Sequence, residues 1–229
     1  AAGQSAVPRA LFSRGMAIRS GFEVTGRLFY ALAVALTPIS VASAILQATP
    51  LVVVLGAAVL FGERVGLARG AAVAAGFAGV LMILRPGLAG FDALSLLALT
   101  GMLGFAGRDL ATRAAPPALS NAQLGVAGFA MLALSGAILL AVSGDLTLPG
   151  LRALILTAAT AVFAIAAYAA LTAAMRTGEV AVVTPFRYTR LVFALILGAV
   201  VFGERPDAMT LTGAAVIVAS GVFALTRRR

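Results

Sequence analysis

Stretches long enough to cross a bilayer, about 17 to 25 apolar residues each, recur along the whole chain, and that repetition constrains the fold more than any motif. They run roughly over 20–37, 39–61, 66–84, 93–114, 120–143, 151–175, 179–202 and 207–226, bounded by Gly, Pro, Arg or Asp. Hydrocarbon offers no water to backbone N–H and C=O groups, so each run closes its own hydrogen bonds as an α-helix. The junctions are only a few residues long and leave no room for a soluble core. The expected fold is an all-α, polytopic membrane helix bundle with eight transmembrane helices.

Composition agrees: 62% of the 229 residues are hydrophobic and 11% charged, with mean hydropathy +1.08, outside the range of soluble domains. The net charge of +9 does not point to nucleic acid. Its arginines sit in small groups at the ends of apolar runs instead of among aromatics on an amphipathic face. The sequence has no Cys and no His, which removes disulfides, thiolate nucleophiles and the commonest metal and general-base ligands. Its eight acids lie mostly at run ends and assemble no catalytic set, and no G-x-x-x-x-G-K-[ST] loop occurs. The expectation is a non-enzymatic protein with no cofactor and no metal, whose partners are the lipid bilayer and a small-molecule substrate, with a homodimer left open. The N-terminal AAGQSAVPRALFSRGMAIRS is too broken for a signal peptide and reads as a loop.

Arginine placement sets an orientation. With a cytoplasmic N-terminus, the inside junctions collect Arg9, Arg14, Arg19, Arg64, Arg69, Arg108, Arg113, Arg176 and Arg227 to Arg229, against Arg85, Arg152 and Arg205 outside. That asymmetry puts both chain ends in the cytoplasm. FGER occurs at Phe61–Arg64 and again at Phe202–Arg205, preceded by ASAILQATPLVVVLGAAVL and VTPFRYTRLVFALILGAVV at an offset of 141 residues. By the helix count Glu63 faces inside and Glu204 outside, so the repeat is inverted, an arrangement typical of secondary transporters. Three helices over 20–84 match the last three, while 93–114 and 120–143 have no upstream counterpart. The expected organisation is an incomplete first repeat of three helices at 1–85 and a complete second repeat of five at 86–229, the missing pair preceding Ala1.

These residues resemble the EamA-like branch of the drug/metabolite transporter superfamily. The resemblance runs from about Arg19 to Arg228 and rests on ASAILQATPLVVVLGAAVLFGERVG, GFAGVLMILRPG, GRDLATR at 107–113 and GEVAVVTPFRYTRLVFALILGAVVFGERPD. It implies ten helices in two inverted repeats, a bacterial inner-membrane location with a cytoplasmic C-terminus, and movement of small organic metabolites such as amino acids or riboflavin.

The expected function is secondary transport of an amino-acid-like, flavin-like or similar amphipathic zwitterion or anion by alternating access, at a site between helices 39–61 and 179–202. The alternative is a truncated, non-transporting membrane fragment or a structural membrane protein. Arg187 and Arg190 lie deep in an apolar run, where charge is costly without a wet cavity or an anionic partner. Their planar forks suit carboxylate or phosphate, and the competing reading is an internal pair with Glu23 or Glu179. Tyr188 between them offers an aromatic face with a polar tip. Its repeat mate is Gln47, and that of Arg190 is Thr49. Glu23, one turn before Arg27, either neutralises that arginine at the interface or meets a cationic group, and Tyr30 lies deeper on the same helix. Pro50 and Pro185 interrupt their helices and free the carbonyls of Leu46 and Ala181, reading as hinges or as sealed kinks. Arg108, Asp109 and Arg113 read as a cytoplasmic anchoring cluster that also gates. Gly101, Gly104 and Gly107, and Gly66 with Gly70, are expected to allow close helix packing.

Overall fold

The computed structural model describes residues 8–37, 42, 45–84, 94–144, 149–178, 183–189, 192, 193, 196, 200 and 206–226. Seven α-helices stand among them: α1 (Arg14–Leu36), α2 (Thr49–Phe61), α3 (Leu67–Leu84), α4 (Ser95–Arg113), α5 (Asn121–Ser143), α6 (Leu151–Thr177) and α7 (Ala208–Thr226). Short 3₁₀ turns form at Arg9–Phe12 and Thr184–Tyr188.

Local chemistry sets the ends. Ser13 caps α1 by accepting from the Met16 amide at 3.4 Å, so the helix begins six residues before the predicted start and takes in Arg14 and Arg19, expected in a loop. Ser120 and Gln123 form a reciprocal capping box on α5. Asp207 accepts from the Thr210 amide at 2.9 Å and caps α7. Gly62 (φ 64°) and Gly144 (φ 68°) end α2 and α5 in the left-handed conformation that glycine adopts without steric cost.

The predicted helix 39–61 is discontinuous. A turn at Gln47–Ala48 precedes α2, and Pro50 occupies its first turn, where the missing N–H deprives the helix of nothing. The carbonyl of Leu46 takes a hydrogen bond from the Thr49 hydroxyl. Pro50 therefore starts a helix instead of kinking one, and the freed carbonyl is satisfied internally. In the second copy, the 3₁₀ turn Thr184–Tyr188 interrupts the predicted helix 179–202 near the corresponding register, and most of the remainder of that run lies outside the described residues.

Two pairings dominate the packing, α1 on α4 and α3 on α7. The second joins segments that correspond at the 141-residue offset. The first is a backbone contact built on glycine. A Cβ at Gly104 would meet the Gly26 Cα at 2.6 Å and the Phe22 carbonyl oxygen at 3.0 Å, and one at Gly101 would meet the Tyr30 amide nitrogen at 2.8 Å. Gly107 lies as closely under the Phe22 ring. Among the described residues a Cβ at Gly66 would meet nothing within 4 Å, and one at Gly70 would meet only the side chain of nearby Val65, so the expected close packing is not found there. Gly104→Val is expected to lower stability by about 1–3 kcal/mol, since backbone cannot move aside as a side chain can. Thermal unfolding of the purified protein in detergent checks this, with Gly66→Val, in open space, as the neutral control.

Polarity is distributed inside out. Arg19, Glu23, Arg108 and Asp109 are buried, while Val59, Leu154, Ile155 and Phe163 are exposed. In lipid that arrangement is favourable, because the bilayer solvates the apolar exterior and the bundle interior must satisfy its polar groups. Among the described helices, α5 and α6 are long and apolar enough to cross a membrane.

Candidate functional site

One face of α1 carries Arg19, Glu23, Gly26, Arg27 and Tyr30, and the facing side of α4 carries Gly101, Gly104, Arg108 and Thr112, both at helical spacing. Because the glycines bring the backbones together, the charged side chains at one end of each stripe converge, with Tyr168 entering from α6 and Arg187 from the 3₁₀ turn.

Glu23 is fully buried and collects donors from three helices. Arg27 approaches Oε1 at 2.8 Å through Nη2 and donates from Nε at 3.0 Å. Arg108 Nη1 lies 3.6 Å from the same oxygen. The Tyr168 hydroxyl donates to Oε2 at 2.8 Å and accepts from Arg19 Nη2 at 2.6 Å. Arg19 Nε donates to Thr112 at 2.9 Å, and the Thr112 hydroxyl donates to the Arg108 carbonyl at 2.8 Å. Asp109, equally buried, lies 2.8 Å from Arg108 Nε and accepts from Arg187 Nη1. The Arg108 guanidinium also stands over the rings of Phe105 and Tyr168, 5.7 and 5.5 Å from their centroids, where the ring quadrupole favours a cation. Among the described residues of this network four guanidiniums face two carboxylates, an excess of two positive charges.

Beside the network lies a cavity of about 270 Å³, lined by Tyr30, Leu46, Gln47, Thr49, Pro50, Phe105, Arg108, Leu171 and Arg187. One wall is aromatic, with Tyr30 and Phe105 edge to face at 6.0 Å. The lining also includes the guanidiniums of Arg108 and Arg187, the former standing over the Phe105 ring, and Gln47 and Thr49 add an amide and a hydroxyl. Such a space suits a small molecule with a planar apolar part and an acceptor-rich or anionic group.

The structure thus brings Arg187, Gln47, Thr49, Tyr30 and Pro50 to one cavity, with α1, α4 and α6 contributing walls besides the two expected segments. Glu23 does not line it, being enclosed by Arg19, Arg27, Arg108 and Tyr168, and it is no interfacial pair with Arg27 alone. Tyr188 faces elsewhere. Successive residues of a 3₁₀ turn point about 120° apart, so with Arg187 toward the cavity Tyr188 enters the α3–α7 contact. There it is fully buried against Val80 and Ile217, in space left by the missing side chain of Gly76. Arg190 and Glu179 lie outside the described residues, as does the side chain of Pro185.

Arg187 pairs with Asp109, an acid not among its expected partners. Arg108 and Asp109 belong to the buried network rather than to an anchoring cluster: Arg108 stands on the face of α4 that meets α1, and Asp109 beside it meets Arg187. Arg113 alone fits the anchoring expectation: it lies 3.5 Å from Glu63 and donates to the Arg176 carbonyl at 3.1 Å, tying the ends of α2, α4 and α6. Arg176 in turn donates to the Leu119 carbonyl at 2.6 Å and to Asn121 at 2.8 Å. Tyr168, Thr112 and Phe105 are not recognisable as site residues from the apolar runs and the repeat. The small-and-polar stripe on α4 is the signal that could find Thr112; Tyr168 on α6 and the apolar Phe105 carry no such signal.

The profile of the EamA-like transporter family matches residues 91–226. A riboflavin transporter of Rhizobium johnstonii is 31% identical over 189 residues, covering 82% of this chain and 62% of the relative. A riboflavin transporter of Vibrio cholerae is 29% identical over 186 residues, 81% of this chain and 62% of the relative. The chain therefore spans about three fifths of the length of these curated relatives. A solved crystal structure, 24% identical, superposes with a TM-score of 0.77 over 97% of this chain and 78% of the other, which shows the fold.

Proposed function

The chain belongs to the EamA-like transporter family, and on that premise we propose that the protein it represents is a multi-pass bacterial inner-membrane transporter of a small amphipathic metabolite, with a flavin of the riboflavin type as the first candidate. The cavity lined by the aromatic pair Tyr30–Phe105 together with the guanidiniums of Arg108 and Arg187 carries this reading. A flavin has a planar ring system for the aromatic wall and a carbonyl-rich edge for the arginines, and Gln47 and Thr49 can meet its remaining polar atoms. The two relatives named riboflavin transporters support the same choice.

Alternating access is the mechanism proposed, with the two interrupted segments, before α2 and at Thr184–Tyr188, as the places where backbone adjusts and Pro50 and Pro185 as the hinges. Both copies of the repeat break near the same register, as the discontinuous helices of secondary transporters do around a central site. The proposed topology has inverted repeats, both ends cytoplasmic and a boundary near residue 85.

The test is uptake of labelled riboflavin into vesicles carrying the full-length protein. Arg187→Leu is expected to reduce uptake about tenfold to a hundredfold, the loss that accompanies removal of a charge-assisted hydrogen bond from a partly exposed site. Uptake unchanged in a correctly folded Arg187→Leu protein would place the substrate elsewhere.

A further inference from the structure

Asp109 touches both guanidiniums that face the cavity, one at each carboxylate oxygen, yet forms no part of the cavity wall. The two arginines are held unequally. Arg108 has further contacts with Glu23, Phe105 and Tyr168 that fix it whatever Asp109 does. For Arg187, the ion pair found among the described residues is the one with Asp109, and its side chain remains 22% exposed. Arg187 also stands on a 3₁₀ turn, a conformation with poorer hydrogen bonds than an α-helix and one that readily rearranges.

We propose that Asp109 is an internal competitor for any anionic group that enters the cavity, and the positioning residue that holds Arg187, and with it the turn Thr184–Tyr188, against α4 while no anion is bound. The inference rests on the cavity being the substrate site. An anionic group entering between Arg108 and Arg187 meets a fork whose existing partner is a carboxylate, and replaces it. No proton moves and no bond is made or broken; one anion takes another's place on the same guanidinium. The turn then loses its tie to α4, so occupancy is converted into freedom of the interrupted segment. A neutral ligand lacks the charge to displace Asp109 and leaves the tie intact. Asp109 thus lowers affinity for anions below what the cavity alone would give, and the lost affinity appears as a conformational response.

The 229 residues include neither Cys nor Trp, so within them the label and the flavin signal are unambiguous, and any Cys elsewhere in the full-length protein is replaced by Ser before reconstitution in nanodiscs. A nitroxide on a single Phe186→Cys reports the turn, and flavin fluorescence reports binding, with flavin mononucleotide as the anionic probe and riboflavin as its neutral counterpart. Asp109→Asn is expected to raise label mobility without ligand and to tighten flavin mononucleotide binding about tenfold, leaving riboflavin affinity unchanged. In the unaltered background, flavin mononucleotide frees the label and riboflavin does not.

If Asp109→Asn fails to fold, Arg187→Gln breaks the same pair from its exposed side and must also free the label. A label unmoved by loss of the pair, or equal effects of the two flavins on label and affinity, overturns the proposal. If neither flavin binds yet the label is freed by loss of the pair, the tie stands and the cavity's assignment to flavins fails.

Discussion

Glu23→Gln is expected to lower stability by about 3–5 kcal/mol, the loss incurred when one member of a buried ion network is removed and its partners stay in place. Arg27 and Arg108 both meet its carboxylate, Arg19 lies 3.8 Å from it, and Tyr168 donates to it from α6. The amide keeps the shape and still accepts from Tyr168, so the effect isolates the charge. Four guanidiniums would remain with Asp109 as the described acid of the network, and a low-dielectric interior penalises each uncompensated charge. The measurement is thermal unfolding together with monodispersity in detergent. Glu23→Asp, which keeps the charge and shortens the reach, should lie between. A loss under about 1 kcal/mol for Glu23→Gln would mean that water reaches the network and that the carboxylate is no structural centre.

That centre shows how far the sequence can be read. Apolar length and spacing locate the helices, because a segment in lipid must satisfy its own backbone, and six of the eight predicted runs contain helices of similar extent. Charge placement misleads when every arginine is treated as a marker of a junction. The positive-inside rule assigns Arg19 and Arg108 to loops, since it counts charges near helix ends without asking which face they occupy. Arg19 lies two turns into α1, and Arg108 lies on the α4 face whose glycines bring it against α1. Reading the small and polar residues at helical spacing as one stripe pairs 19–23–26–30 with 101–104–108–112.

The prolines illustrate a second limit. Their effect depends on where the helix begins, and nothing local in ILQATP distinguishes a kinked helix from a new one. The hydroxyl of Thr49, reaching back to Leu46, decides that question in the fold. Tyr188 departs from its expected place because the immediate neighbour of Arg187 on any helical turn points about 100–120° away from it, and the space at Gly76 between α3 and α7 takes the ring.

Arg108 is, with Arg187, one of two residues common to the ion network and the cavity, and Arg108→Gln is expected to reduce uptake by about a hundredfold or more, in keeping with the 2–5 kcal/mol lost when one partner of a buried charge pair is truncated. Folding should suffer less than in Glu23→Gln. Glu23 retains Arg19, Arg27 and Tyr168, and Asp109 retains Arg187. Arg108→Lys should not restore transport. The arginine meets Asp109 through Nε and Glu23 through Nη1 while its guanidinium stands over two aromatic rings, and a single ammonium on a flexible stem cannot occupy those positions together. Initial uptake rates in vesicles, normalised to folded protein, separate the cases. Full rescue by lysine would show that positive charge alone suffices and that the fork geometry is incidental. Failure of both variants with a melting temperature near that of the unaltered protein would identify Arg108 as a group through which the buried network reaches the cavity.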